Sequence, residues 1–166
     1  MSLMSAPLKV LLLRAPKLTL AVAESLTAGH VQARVASGSG ASEFFLGGVT
    51  AYSIEQKVKL LGVDRAEAAR VNCVSAAVAE QMARGVCALF GADVGLATTG
   101  YAEPNPAEGV ATPMAWWAVA HRLDSGLFAV RTGRVEFPAA ARVEAQQRVA
   151  DEAVAALVEY LRALRG

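Results

Sequence analysis

Ser25 stands where an apolar run, "LTLAVAE" over residues 18–24, gives way within a few residues to a helical pattern opened by Thr27. A hydroxyl at the end of a strand is offered to the space beyond the sheet, where open α/β folds gather their ligands. The first amides of the following helix lack intrahelical acceptors and carry partial positive charge, which suits a phosphate or an oxyanion. The competing role is a helix cap, with Ser25 or Thr27 accepting from a nearby backbone N–H. Both roles coexist if Thr27 caps while Ser25 points outward.

A serine nucleophile needs a base. His30 falls at the turn into the helix and His121 in a strand beside Arg122, neither with an obvious orienting carboxylate. The remaining choice is a lysine whose pKa is lowered by loss of water, as in Ser–Lys hydrolases. Lys57 and Lys59 share one short predicted helix, in which Ile54, Val58 and Leu61 form an apolar stripe. At about 100° per residue, Lys57 borders that stripe and Lys59 points away. Lys57 is then either a partly buried amine or a snorkelling side chain with only its stem covered. Tyr52, just before this helix, relays a proton, or fixes the lysine, or packs as an amphipathic ring. Thr98 and Thr99 close a third strand, so three strand ends bring hydroxyls and amides toward one crevice.

The elements that must hold these groups follow from patterning. Residues 8–15 read as a short helix stopped before Pro16, and Leu18 to Glu24 as a strand buried on both faces. Thr27 to Ser37 reads as a helix. Phe45 to Tyr52 is a second strand, with Gly47 and Gly48 marking a bulge or a close backbone approach. Ser53 to Leu61 is a short helix, and "VSAAVAEQMARGVCALFG" (74–91) a longer one stopped by Gly91. "ADVGLATTG" (92–100) is the third strand, followed by a loop containing Pro104, Pro106, Gly109 and Pro113. Met114 to Arg122 and Leu127 to Phe137 form a hairpin around Asp124-Ser125-Gly126, and a long helix runs from Ala139 to Leu164. Strands alternating with helices predict a three-layer α/β/α architecture on a mixed, mostly parallel sheet.

"AESLTAGH", "GGVTAYSIEQKVKLLGV", "VSAAVAEQMARG" and "ADVGLATTGYAEP" together resemble the successive motifs of the CinA C-terminal domain family, over residues 8–164. That family includes competence/damage-inducible CinA proteins and stand-alone nicotinamide mononucleotide amidases, and the chain resembles the stand-alone form. The resemblance implies Ser25 as nucleophile, with Tyr52 and Lys57 as its catalytic companions. It places the family's strand-end threonine on Thr99. Its helix-leading arginine falls on Arg142, with one residue inserted after Phe137. The implied reaction hydrolyses the carboxamide of nicotinamide mononucleotide to the acid and ammonia, without metal or organic cofactor. Thr27, Thr99, Arg142 and Glu103 are the expected substrate contacts, and amides after Ser25 the expected oxyanion hole.

Where the family reads T-G-I-A-G-P, this chain has Thr99-Gly100-Tyr101-Ala102-Glu103-Pro104, and the family's second arginine is Gln146. If Glu103 faced a bound phosphate at ~5 Å, repulsion at an effective dielectric of ~20 would be about 3 kcal/mol, roughly a hundredfold in affinity. Two further readings therefore stand beside the first: the same chemistry on a less anionic amide, and a non-catalytic binding or partner module on the same fold.

The 166 residues, 54% hydrophobic and 19% charged, suit one domain with a full core, residues 1–166. Residues 1–7 read as a flexible or non-native extension. A net charge of +1, with 16 basic and 15 acidic residues scattered, excludes the cationic stripe of a nucleic-acid footprint. The longest charge-free stretch, Gly109 to His121, falls short of the ~18–20 apolar residues of a membrane span. With no basic leader ahead of an apolar run, the expected location is cytoplasmic. Cys73 and Cys87 form no metal motif, and Cys87 reads as a small core residue. A homodimer is expected. Trp116 and Trp117, neighbours in one strand, either expose a ring that marks such a surface or both lie under helices.

Overall fold

The computed structural model describes residues 5–166. Leu20–Glu24 (β1) is buried at every position, which is why apolar residues fill both parities of its sequence. Phe45–Thr50 (β2) and Val94–Tyr101 (β3) flank it in parallel, and Met114–Arg122 (β4) and Phe128–Glu136 (β5) complete a sheet of order β2-β1-β3-β4-β5. β4 is antiparallel to β3, and β5 to β4, so four strands share one direction and β4 alone opposes them. The sheet is mixed and mostly parallel, as expected.

Among the described residues, six α-helices cover it. Ser5–Leu13 (α1), His30–Ala36 (α2) and Arg142–Arg165 (α6) lie on one face, and Ile54–Leu61 (α3), Arg65–Arg70 (α4) and Ala76–Phe90 (α5) on the other. α1 starts at Ser5, so part of the expected N-terminal extension is helix; residues 1–4 lie outside the described residues. The two faces differ in bulk. Leu20, Val22, Val94, Leu96 and Val119 meet α1, α2 and α6, whereas Ala21, Ala23, Ala97, Ala118 and Ala120 meet α5. Small side chains let the α5 backbone sit close: a Cβ at Gly95 would overlap the Ala83 carbonyl. One layer further out, a Cβ at Gly85 of α5 would overlap the Leu61 carbonyl of α3. Two glycines thus set how deeply α3 is seated.

Local chemistry fixes the helix ends. Ser53 accepts from the Gln56 amide and Ser75 from the Val78 amide, capping α3 and α5, while Gly91 ends α5 in the left-handed conformation at φ 68°. A bulge stands in β2, where Leu20 pairs with Phe45 but Ala21 with Gly47, leaving Leu46 as the surplus residue. Gly47 and Gly48 also allow close approach, since a Cβ on either would press into Phe90 or Gln32. Trp116 packs on the α5 side and Trp117 on the α6 side, both half-buried. Cys87 is fully buried, and burial pushes its thiol pKa up to about 12. No helix among the described residues is long and apolar enough to cross a membrane.

Candidate active site

β1 leaves the sheet toward α2 on one face, and β2 leaves toward α3 on the other. The chain therefore parts at the carboxyl ends of two neighbouring strands and opens a crevice there, the usual ligand position in such sheets. A cavity of about 610 Å³ occupies it, lined by Ser25 and Leu26 after β1, Tyr52 and Lys57 around the start of α3, and Thr99 and Glu103 from and after β3. Arg142, the first residue of α6, closes the rim.

Ser25 is held by a hydrogen bond from its own amide to the Thr98 carbonyl (3.1 Å), which prolongs the β1–β3 ladder by one residue. Its Oγ lies 2.9 Å from Lys57 Nζ. The same amine donates to the Tyr52 carbonyl at 2.9 Å. Lys57 is 1% exposed and Ser25 6%, and no carboxylate among the described residues shares this contact. Burial lowers the Lys57 pKa from its ordinary 10.5, with charge on Cys73 acting in the opposite sense. Burial thus shifts this amine toward its neutral form beside the hydroxyl.

The turn carrying Ser25 is organised by Glu24, a residue without a role in the sequence reading. Its buried carboxylate accepts from the amides of Gly29 (3.1 Å), Val31 (3.0 Å) and Gln32 (2.8 Å). Glu24 is thus the acceptor for the start of α2, in place of the expected Ser25 or Thr27, and the helix begins at His30 rather than Thr27. The amides of Ala28 through Gln32 are thereby all satisfied within the turn, which leaves those of Leu26 and Thr27, the two directly after Ser25. No acceptor among the described residues takes the Leu26 amide, directly after Ser25 and at the cavity wall. A carboxylate at the end of a fully apolar strand was the available sequence signal for Glu24. The left-handed Ala28 (φ 45°) and Gly29 (φ 101°), which bend the turn back over it, left no comparable mark.

The expected substrate contacts divide. Thr27 is completely buried and its hydroxyl pairs with that of Thr98 at 2.7 Å, so it ties the turn to β3 and does not line the cavity. Thr99 does line it, with its hydroxyl donating to the Cys73 carbonyl at 2.7 Å. Asn72 and Cys73, which precede α5, both have left-handed backbones (φ 48° and 62°) and were missed as wall residues. Arg142 donates to Glu103 Oε1 at 2.8 Å and to the Tyr52 hydroxyl at 2.9 Å. The Tyr52 phenol therefore faces the rim, 54% of the residue being exposed, while its carbonyl holds the lysine. A proton relay through that phenol is not the arrangement seen; lysine reaches serine directly.

Comparison with known proteins agrees over nearly the whole chain. A family model described as the CinA C-terminal domain matches residues 5–161. A CinA-like protein of Chlorobium limicola is 38% identical over 152 residues, covering 90% of this chain and 35% of that protein. A CinA-like protein of Picosynechococcus is 47% identical over 94 residues, 57% of this chain and 22% of that protein. The chain thus spans a minor part of the length of these relatives. Among solved structures, the competence damage-inducible protein A of Klebsiella pneumoniae superposes with a TM-score of 0.86 at 31% identity, covering 96% of this chain and 95% of that one. A CinA superfamily protein of Enterobacter cloacae gives 0.85 at 26% identity, covering 95% and 90%. In sequence and in fold alike, this chain belongs to the CinA C-terminal domain family.

Proposed function

We propose that the chain is an amidohydrolase that uses Ser25 as nucleophile and Lys57 as general base, acting on a carboxamide of the nicotinamide mononucleotide type. The 2.9 Å contact between a serine hydroxyl and an almost completely buried lysine amine carries this reading. A lysine in water is protonated at neutral pH and useless as a base, whereas one stripped of water has its lone pair available. Its hydrogen bond to the Tyr52 carbonyl orients the amine, so that the lone pair receives the Ser25 proton.

As the hydroxyl gives up that proton, Oγ bonds to the carboxamide carbon and the carbonyl π pair moves onto oxygen. The Leu26 amide is the donor nearest in sequence to this developing charge. Lys57 then returns the proton to the amide nitrogen, the C–N bond breaks, and ammonia leaves an acyl group on Ser25. Water attacks that ester as Lys57 accepts its proton; the Oγ–C bond then breaks, Lys57 returns the proton to Ser25 Oγ, and the carboxylic acid departs. Tyr52 and Thr99 shape the acyl pocket in this scheme.

Ammonia release from nicotinamide mononucleotide and a panel of small carboxamides tests the proposal. Ser25→Ala should lower turnover at least a thousandfold while leaving the thermal unfolding profile cooperative. A folded wild-type protein that releases ammonia from none of them rules the reading out and leaves a non-catalytic binding module. The Glu103–Arg142 ion pair favours the less anionic members of the panel.

A further inference from the structure

The candidate cleft contains two cations, Lys57 and Arg142, and one carboxylate, Glu103. Lys57 must be neutral to act as a base, so Arg142 is the cation left to meet an anionic group on a substrate. It is already engaged: one guanidinium nitrogen donates to Glu103 at 2.8 Å and another to the Tyr52 hydroxyl at 2.9 Å. The cavity of about 540 Å³ on the far side of Tyr101 offers no substitute. There, Arg134 is paired with Glu136 at 2.5 Å, and Glu108 adds a further carboxylate. Among the described residues lining the two cavities, carboxylates outnumber arginines three to two.

We infer that the Glu103–Arg142 pair makes this cleft select carboxamides without a phosphate or other anionic group, of nucleoside rather than nucleotide type. This deepens the amidohydrolase reading and rests on it. A phosphate arriving at the rim must either displace Glu103 from Arg142 or lie beside its negative charge. An uncharged hydroxymethyl group, or the positive ring of a pyridinium carboxamide, does neither. Both partners of the pair are about half-exposed, so water and salt weaken the discrimination to about tenfold, below what a buried charge would give.

Calorimetric binding to the Ser25→Ala protein, which lacks the nucleophile, separates recognition from turnover. The probes are nicotinamide mononucleotide and the same molecule without its phosphate, nicotinamide riboside. The nucleoside should bind about tenfold more tightly. Adding Glu103→Gln should shift the ratio about tenfold toward the nucleotide, and adding Arg142→Gln as well should abolish that gain. Far-UV circular dichroism and melting profiles confirm that each variant is folded. Equal or tighter binding of the nucleotide, a ratio unmoved by Glu103→Gln, or no binding of either probe would overturn the inference. Failure of the amidohydrolase reading shows itself differently, as absence of ammonia release by wild-type protein from every carboxamide, whatever the binding ratio.

Discussion

A single side chain, Lys57, carries the chemistry proposed here, and its burial has two measurable consequences of definite sign. The first is kinetic. The rate parameter kcat/KM should climb with pH along a limb set by deprotonation of Lys57, displaced below the ordinary 10.5, because burial disfavours the ammonium. A limb at or above 10.5 in the pH–rate profile would contradict a desolvated base. The second is thermodynamic. Between the lowered native pKa and 10.5 the unfolded chain binds more protons than the native one, so stability rises with pH across that window. Lys57→Met removes this contribution. Denaturant titrations at several pH values should show the wild type gaining on the variant as pH rises, by about 1.4 kcal/mol for each unit of pKa displacement. Lys57 was recognisable from its place beside an apolar stripe. Glu24 stood out only as a carboxylate closing an apolar strand, which does not announce that it will fold back under its own loop.

At the scale of elements, the lysine proposed as base is only as well placed as α3, and α3 is seated by a glycine on another helix. Gly85→Ala drives a methyl group into the Leu61 carbonyl, and neither backbone can yield without moving the helix. The expected cost is about 1–3 kcal/mol, or roughly 2–12 °C in melting temperature, together with a loss of activity at 25 °C as Nζ is carried away from Oγ. Calorimetry and ammonia release on the same sample check both. The helices and strands around this contact were largely readable: Ser53, Ser75 and Gly91 are local signals that act locally. α4 escaped notice at six residues, too short to show a period, although Asp64 capping the Glu67 amide was there to be seen. α6 was expected from Ala139 but starts at Arg142, because Ala139 takes a left-handed turn at φ 62° that no local residue type demands. Contacts such as Glu103 with Arg142, across 39 residues, lay beyond any local pattern, though both residues were singled out.

For the whole molecule, the two layers divide the labour. Large side chains and α1, α2 and α6 supply bulk on one face; Ala and Gly on the other allow α5 and then α3 to be set closely against the sheet. Truncation in the bulky layer should therefore destabilise without disturbing the chemistry. Leu157→Ala, in the middle of α6, should cost about 2–5 kcal/mol and lower the melting temperature by roughly 4–20 °C. Its activity at 25 °C should stay within about twofold of wild type, in contrast to Gly85→Ala. Equal losses of activity in the two variants would show that the layers are not separable in this way.

Leu46, the surplus residue of the β2 bulge, carries a liability out of proportion to its size. Alternation along a strand has only two phases, and this one residue switches between them: Phe45 belongs to the layer of α1, α2 and α6, while Val49 belongs to that of α5. Excising Leu46 would merge the phases and rotate one part of the strand by half a turn against its layer. The outward Leu46 touches nothing in the cleft, yet the heading of the chain on its way to the Tyr52 carbonyl, and so the aim of the amine hung from it, depends on its being counted.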